Sequence, residues 1–318
     1  MNLSIVIPHY NGSNLLEKLL SSIPQEKEIQ IIVVDDKSEL SHLKFIEKLK
    51  KKYNFEFYQN NKIKGPGTCR NIGLEKAKGK WILFADSDDY FVDKFYNKVS
   101  SYFNSKSDVI FFPPTSQHMG TSKIADRHLS FKKKIKAYLN NNNIKNEFFL
   151  RYTYIVPWSR MIKNELINIH KIKFDEVKIS EDTMFATKVG HFMKKFEVSH
   201  DVIYCITKSS RSYSKIPIRE DIFDILVNMK ILYIKFLDTN LSKGELCKIM
   251  KPYTKNKAAE LLLRSIKIFG FKKFFQVYNL YKQEDIQWFR LVYLNPIKIM
   301  RYIIILCYKK INYHFNNY

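Results

Sequence analysis

Three carboxylates lie within four positions of the stretch WILFADSDDY, residues 81–90. Asp86, Asp88 and Asp89 follow directly after five largely apolar residues. Like charges this close repel, and a carboxylate near apolar surroundings must find a cation or take up a proton. Carboxylates at positions i and i+2 after a strand can hold Mg²⁺ or Mn²⁺ together with substrate phosphates. The stretch is therefore either a solvated acidic loop or a site for a divalent cation.

The chain as a whole is strongly basic, with 54 Lys and Arg against 31 Asp and Glu and a net charge of +23. This excess predicts attraction to polyanions such as nucleotide phosphates, anionic lipid headgroups or nucleic acid, and it does not choose among them. The four cysteines form no CxxC or Cys/His pairing of the kind that a zinc site needs, and they fit a reducing cytoplasm. The first apolar run ends at Pro8 and His9, too early for a secretory signal.

Strand-like and helix-like segments alternate over the first part of the sequence. Short apolar runs rich in β-branched residues at 3–7 and 29–34 flank a segment with helical spacing of leucines, and the alternation continues to residue 112. This order predicts an α/β sheet whose strands carry polar residues at their carboxyl ends. Residues 9–11, 35–38 and 86–89 follow the first, second and fourth strands, so we expect them to meet at one edge of the sheet.

After Pro217 the pattern is helical throughout, with candidate helices at 222–237, 243–250, 257–268, 272–280 and 285–293. We therefore predict an α/β domain over residues 1–215 and a helical domain over residues 216–318. The most apolar stretch, residues 291–308, contains Pro296, Lys298 and Arg301, and its uninterrupted core is far shorter than the roughly 20 residues that a membrane span requires.

Four segments together make the sequence resemble the inverting family 2 glycosyltransferases of the GT-A fold. They are SIVIPHYN at 4–11, IIVVDDKS at 31–38, GPGTCRNIGLEKAKGKWILFADSDD at 65–89 and ISEDTMF at 179–185. The likeness covers about the first 215 residues. It implies an α/β/α sandwich with an added helical domain, and transfer of a sugar from a UDP-sugar to a hydroxyl of a glycan or lipid-linked acceptor. It also implies a divalent metal, Mn²⁺ or Mg²⁺, and a cytoplasmic enzyme of surface polysaccharide synthesis, such as that of capsule or lipopolysaccharide.

The resemblance also implies roles for individual residues. Those expected to bind the nucleotide-sugar are Pro8, Tyr10, Asn11, Asp36, Gly67, Arg70, Asp86 and Ser87. Asp36 would accept a hydrogen bond from the uracil N3–H, and Arg70, whose planar fork stays charged, would contact phosphate unless it forms only a surface salt bridge. Asp88 would ligate the metal, while Asp89 would either support the metal ligand or form the turn. The metal is then the positive partner that the acidic stretch lacks.

An inverting transfer also needs a base that deprotonates the acceptor hydroxyl, and a carboxylate is the usual choice. Glu181 and Asp182 match the family's paired acids, and we expect Asp182 to be the base and Glu181 to orient it or to contact the acceptor. The alternative is that Ser180 or Asp182 caps the helix that follows.

Three further residues are weaker candidates for contacts with the acceptor or the diphosphate. Trp158 and Arg160 belong to a stretch that in the family precedes the paired acids, although Trp158 is equally expected in the core. Ser159 and Arg160 stand where relatives commonly carry Asn and Lys, which weakens the match. Arg211 lies where relatives have a basic segment over the diphosphate.

The C-terminal helices carry several Phe and Tyr beside Lys267, Lys272 and Lys273. They are expected to lie on an anionic membrane surface, to pack on the catalytic domain, or to join a second subunit in a homodimer. The competing function is a basic protein that binds nucleic acid or an anionic membrane without catalysis. We expect no nucleic-acid partner, because three acids at the main strand edge would repel phosphate in the absence of metal.

Overall fold

The computed structural model describes residues 1–63, 65–209 and 218–289. The chain divides into two compact units, Met1–Met229 and Lys230–Tyr318. The division falls inside a helix, whereas the boundary predicted at residue 215 lies outside the described residues.

A seven-stranded sheet forms the centre of the first unit, in the order β3-β2-β1-β4-β8-β6-β9. The strands are β1 (Leu3–His9), β2 (Ile29–Asp35), β3 (Glu56–Gln59), β4 (Trp81–Phe84), β6 (Val109–Phe111), β8 (Arg160–Lys163) and β9 (Phe196–Val198). β1 pairs in parallel with both β2 and β4, so their carboxyl ends lie at one edge. Only β8 runs antiparallel to its neighbours. This arrangement brings the ends of the first, second and fourth strands together, as the alternating sequence pattern predicts.

Helices cover both faces of this sheet. They are α1 (Ser13–Ser21), α2 (Leu40–Lys52), α3 (Pro66–Lys76), α4 (Phe95–Ser100), α5 (Leu129–Asn140), α6 (Ile144–Thr153), α7 (Asn164–Ile169) and α8 (Asp182–Phe192). On β1, Leu3, Ile5 and Ile7 face one apolar cluster, and Val6 faces the other. Strands buried on both sides explain the nearly continuous apolar runs of β1 and β2.

A three-stranded sheet in the order β5-β10-β7 adjoins the acidic stretch. Its strands are β5 (Tyr90–Phe91), β7 (Thr115–His118) and β10 (Tyr204–Lys208). β10 pairs antiparallel with β5, which joins residues more than one hundred positions apart, and it pairs in parallel with β7.

The C-terminal region is helical, as predicted, with α9 (Glu220–Asn240), α10 (Gly244–Phe269) and α11 (Phe271–Gln283). α10 joins two segments that were expected as separate helices and contains Pro252 in its interior. The predicted helix at 285–293 is wrong over residues 285–289, which form no helix. No helix within the described ranges is long and apolar enough to cross a membrane.

Candidate active site

The loops after β1 and β2 are joined where the two strands end. The backbone N–H of Asp36 donates to the carbonyl of His9 over 2.7 Å, and the N–H of Asn11 donates to the hydroxyl of Ser38 over 2.9 Å. The side chain of Asn11 bonds both the backbone and the side chain of Glu39. Asn11 adopts a positive φ of 45°, which its short polar side chain tolerates. Pro8 is partly buried at the end of β1, and Tyr10 is exposed beside it.

Asp36 is buried at this edge and holds a neighbouring loop. Its Oδ1 accepts from the amide of Asn60 over 2.8 Å and from the N–H of Gly65 over 3.2 Å. Asn60 is buried as well, and its role was not anticipated, because an isolated Asn in a polar stretch gives no signal of its own. Asp35 shapes the turn after β2, since its Oδ2 accepts from the N–H of Ser38 over 3.0 Å.

The acidic stretch forms a turn that is anchored by β10. The N–H of Asp89 donates to the carbonyl of Asp86 over 3.0 Å. Both carboxylate oxygens of Asp89 accept hydrogen bonds, from the Tyr204 hydroxyl over 2.8 Å and from the Thr207 N–H over 2.7 Å. The Tyr204 oxygen in turn accepts from the N–H of Asp86 over 2.8 Å. Asp89 therefore fixes the turn. Tyr204 could not be found from the sequence, because it is more than one hundred residues away.

Asp88 is the acid of this turn whose surroundings suit a bound cation. Burial and the nearby Asp86 carboxylate raise the pKa of Asp88, while Arg127 opposes the shift. A cation would relieve both effects, because it stabilises the ionised form. No group of three or more His, Cys, Asp or Glu side chains converges on a metal position in the described parts of the chain. Asp88 with the oxygens of a bound diphosphate is a donor set that fits Mg²⁺ or Mn²⁺, which need only one or two protein carboxylates beside phosphates.

Arg70 connects the acidic turn to the segment that carries Glu181 and Asp182. Its guanidinium donates to Asp86 Oδ1 over 2.7 Å and to Glu181 Oε1 over 2.8 Å. Only 4% of the residue is exposed, its Nε has no hydrogen-bond partner, and it lies over the ring of Phe174 at 5.3 Å. The two carboxylates raise its pKa against the opposing effect of burial. Arg70 is therefore part of a buried ion-pair network and not a surface salt bridge.

The first turns of α3 pack against the segment of residues 174–182. A Cβ added at Gly67 would lie 2.3 Å from the carbonyl oxygen of Asp175, so only glycine allows this approach. The Asn71 side chain bonds both the N–H and the carbonyl of Phe174, over 2.9 and 3.0 Å. α3 thereby fixes the position of the paired acids relative to the acidic turn.

Asp182 is the first residue of α8 and lies in an environment that disfavours its charge. Burial, followed by the Glu181 carboxylate, raises its pKa from 3.8 to about 7, while Arg70 lowers it. No side chain caps α8 at Glu181, the residue before its first turn. The Asp182 carboxylate also has a hydrogen bond to backbone, which lowers its pKa, so the capping alternative stays open. A carboxylate with a pKa near neutrality suits proton transfer.

Trp158 and Arg160 are buried beneath the site. Trp158 stacks on Tyr204 at 5.8 Å and packs edge-on against Phe131 at 5.0 Å, so it supports the residue that anchors the acidic turn. Arg160 is fully buried, and its Nε and Nη2 have no hydrogen-bond partner. Burial lowers its pKa to about 10, and Tyr154 and Asp182 oppose that shift. Because both side chains are buried, the structure gives no support to the expected contacts of Trp158 and Arg160 with the acceptor or the diphosphate.

The structure thus brings together Arg70, Asp86, Asp88, Glu181 and Asp182. Asp36 lies at the end of β2, where it accepts from the N–H of Gly65 just before α3. Ser87 lies between Asp86 and Asp88 and is partly buried. Arg211 lies outside the described residues.

A family model described as "Glycosyl transferase family 2" matches residues 4–168, more than half of the sequence. The chain therefore belongs to glycosyl transferase family 2. This confirms the prediction made from the four segments, and the matched range contains β1, β2, the acidic turn and Arg70.

Two relatives carry names that refer to poly(ribitol-phosphate). The poly(ribitol-phosphate) beta-N-acetylglucosaminyltransferase TarS of Staphylococcus aureus is 25% identical over 263 residues, which is 80% of this chain and 44% of that protein. The poly(ribitol-phosphate) beta-glucosyltransferase of Bacillus spizizenii is 42% identical over 96 residues, 28% of this chain and 15% of that protein. The chain thus spans less than half the length of either relative.

Solved structures share the fold. The crystal structure of S. aureus TarS 1–349 in complex with UDP-GlcNAc gives a TM-score of 0.61 at 23% identity, covering 84% of this chain and 73% of that one. The mannosyltransferase PcManGT of Pyrobaculum calidifontis, in complex with GDP-Man and Mn²⁺, gives 0.51 at 14% identity, covering 89% and 82%. At these identities the likeness concerns the fold, and it confirms the predicted GT-A architecture.

Proposed function

We propose that this chain transfers a sugar from a UDP-sugar to a hydroxyl of a glycan or polyol-phosphate acceptor, with inversion at the anomeric carbon. The observation that carries the proposal is the Arg70 network, which places the acidic turn of Asp86 and Asp88 beside the segment of Glu181 and Asp182. The acidic turn has carboxylates that could hold a nucleotide diphosphate through a cation, and the segment of Glu181 and Asp182 has a carboxylate that could accept a proton. Both are needed for a displacement in which a diphosphate leaves.

The donor side of the proposal rests on the edge formed by β1, β2 and β4. Pro8, Tyr10 and Asn11 would line the base pocket, and Asp36 would accept from the base while Asn60 and Gly65 hold its carboxylate in place. The preference for uridine diphosphate is supported by the TarS structure solved with UDP-GlcNAc. Asp88 would hold a divalent cation jointly with the diphosphate, and that cation would offset negative charge on the leaving group.

Asp182 is proposed as the base. Its carboxylate takes the proton of the acceptor hydroxyl, the acceptor oxygen forms a bond to the anomeric carbon, and the bond from that carbon to the diphosphate oxygen breaks. UDP leaves with the electron pair, and the sugar is inverted. The names of both relatives specify beta linkage, which is the product of inversion from an α-linked UDP-sugar. The same names make poly(ribitol phosphate) the first acceptor to test.

A donor and acceptor screen tests this function. The purified chain is incubated with Mn²⁺ or Mg²⁺ and with UDP-GlcNAc, UDP-glucose or, as a control, GDP-mannose, and nucleotide release is measured with and without poly(ribitol phosphate). We expect acceptor-dependent release from a UDP-sugar and little from GDP-mannose. Asp182→Asn should abolish release while UDP binding persists. The proposal would be contradicted if the chain bound UDP neither with metal nor without it.

A further inference from the structure

A basic and aromatic face lies where α10 meets α11. We call it the corner face; it is formed by Leu263, Arg264, Lys267, Ile268, Phe271, Lys272 and Phe275. Residues 264, 267 and 268 lie on one side of α10 because they are three and four positions apart, and residues 271 and 275 do so on α11. Gly270, with a φ of 82°, makes the corner between the two helices.

The apolar members of this face are unusually exposed. Phe271 is 70% exposed and Phe275 is 56% exposed. Leu263 is 42% exposed and Ile268 is 40% exposed. Although the sequence has 24 Phe, the exposed ones among the described residues all lie between positions 271 and 289. A face with two protruding phenylalanines beside two exposed aliphatic side chains is typical of a surface that contacts something else.

The folding of the helix pair does not need this face. α10 and α11 pack through the opposite side, where Leu262, Val277 and Tyr281 are buried. The Tyr281 hydroxyl donates to the carbonyl of Ala258 over 3.3 Å across the pair. The exposed phenylalanines are therefore additional to the apolar contacts that hold the two helices together.

The chain segment that carries most of the corner face holds side-chain charge of one sign. Residues 261–283 contain no Asp or Glu and carry Arg264, Lys267, Lys272 and Lys282, together with Lys273, which is buried. Of the acids that flank this range, Glu260 pairs with Lys257 at 2.7 Å and Glu284 pairs with Lys235 at 2.6 Å, while the exposed Asp285 follows at the end of α11. A partner that matches the corner face in charge and polarity would have anionic groups at its surface and an apolar layer beneath them.

We propose that the corner face binds the surface of an anionic lipid membrane. Phe271 and Phe275 would enter the boundary between headgroups and acyl chains, and the lysines and arginine would lie among the phosphates. A lipid surface is favoured over a nucleic acid because nucleic acid offers phosphates without an apolar layer for the two aliphatic side chains. The proposal is independent of the proposed enzymatic activity, since it concerns binding alone.

Co-sedimentation of the full chain with vesicles tests this inference. Vesicles of phosphatidylcholine with phosphatidylglycerol are compared with vesicles of phosphatidylcholine alone. We expect binding only to the anionic vesicles, weakened by salt. Lys267→Glu and Lys272→Glu should each weaken binding by about fivefold or more, since a cation near an anionic surface is worth about 1 kcal/mol. Phe271→Ser combined with Phe275→Ser should weaken it at least as much.

Matched controls separate the face from the overall charge. Lys48→Glu with Lys51→Glu alters exposed lysines of α2, and Leu40→Ser with Ile169→Ser alters exposed apolar residues elsewhere; neither pair should reduce binding by more than about twofold. The proposal is overturned if anionic vesicles are not bound, or if the variants of the face bind as the unchanged chain does. It is also overturned if Phe271→Ser with Phe275→Ser converts a dimer into a monomer in light scattering, because the face would then belong to a second copy.

Discussion

The guanidinium of Arg70 donates to the carboxylate of Asp86 over 2.7 Å, and with its other nitrogen it holds Glu181 at 2.8 Å. One buried cation thus joins the turn that follows β4 to the segment that precedes α8. The two segments are 95 positions apart in the chain when counted from Asp86 to Glu181 (181 minus 86). Asp86 and Glu181 are both at least partly buried, and both bond Arg70. The distance between the proposed donor and acceptor sides of the site therefore depends on the Arg70 side chain.

Replacing Arg70 should damage both stability and activity. Arg70→Ala leaves two partly buried carboxylates without a cation, and we expect it to lower the free energy of unfolding by about 3–5 kcal/mol. Arg70→Lys keeps the charge but loses the planar fork that reaches both acids. We expect Arg70→Lys to retain UDP binding and to lower kcat by at least tenfold. Urea unfolding, UDP calorimetry and kinetics of UDP release measure these effects.

Arg219 offers a matched control for this experiment. It forms an ion pair with Asp221 at 2.9 Å but is largely exposed. Exposed ion pairs contribute little, so Arg219→Ala should change the free energy of unfolding by less than about 1 kcal/mol. Equal effects of Arg70→Ala and Arg219→Ala would contradict the structural role assigned to Arg70.

The rate of UDP release should rise with pH through about 7, because Asp182 must be ionised to act as the base and its pKa is raised to about 7 by burial and by Glu181. The same shift predicts an opposite effect on stability. Between the unfolded pKa of 3.8 and the folded pKa of about 7, the folded state holds a proton that the unfolded chain releases. The stability contributed by this proton is complete below that window and is lost as the pH rises through it.

Asp182→Asn isolates this effect, because asparagine does not titrate. The unfolding temperature of the variant relative to the unchanged chain should increase as the pH is raised across the window from 3.8 to about 7. The variant should be inactive at every pH. A constant difference in unfolding temperature over this range would show that Asp182 has an ordinary pKa, and a residual rate that still follows the same pH profile would exclude it as the base.

Asp88 and Asp89 should behave differently when changed to asparagine. Asp88→Asn removes a carboxylate that burial and Asp86 disfavour, so stability should be unchanged or higher, while the gain in UDP affinity on adding Mn²⁺ should be lost. Asp89→Asn disturbs the hydrogen bonds with Tyr204 and Thr207 and should lower the unfolding free energy by about 1–3 kcal/mol. Calorimetry of UDP with and without Mn²⁺, together with thermal unfolding, compares the two. A metal effect that persists in Asp88→Asn would remove that residue as the ligand.

Gly67→Ala should displace the segment of the paired acids. Its Cβ would lie 2.3 Å from the Asp175 carbonyl and 3.0 Å from the Glu181 Cβ, so the backbone there must move. We expect a loss of about 1–3 kcal/mol in stability and a fall in kcat, with the UDP affinity less affected. Gly120→Ala is the control, because its Cβ would meet nothing within 4 Å and only its positive φ is strained. That variant should lose about 1 kcal/mol in stability without a fall in kcat.

The alternation of apolar runs and helical periods up to residue 112 predicted the strands β1 to β4 and β6 and the helices α1 to α4, while β8, β9 and the later helices lie beyond it. The runs at 3–7 and 29–34 lie within β1 and β2, and the segment between them with helical spacing of leucines forms α1. These elements are visible because a strand buried on both faces is apolar throughout, while a helix on the sheet shows a period of 3.6 residues. The acidic stretch was visible because three carboxylates directly after a buried strand repel one another and need a cation or a proton.

The tertiary structure decided which side chains touch. Arg70 could be assigned to phosphate from its type, but only the packing of α3 against residues 174–182 shows that it pairs with Asp86 and Glu181. Tyr204 and Asn60 carry no local signal, because hydrogen bonds between distant segments leave no periodicity in the sequence. The pKa of Asp182 is likewise a property of its burial and its neighbours, so the residue type alone could nominate a base but could not set its charge.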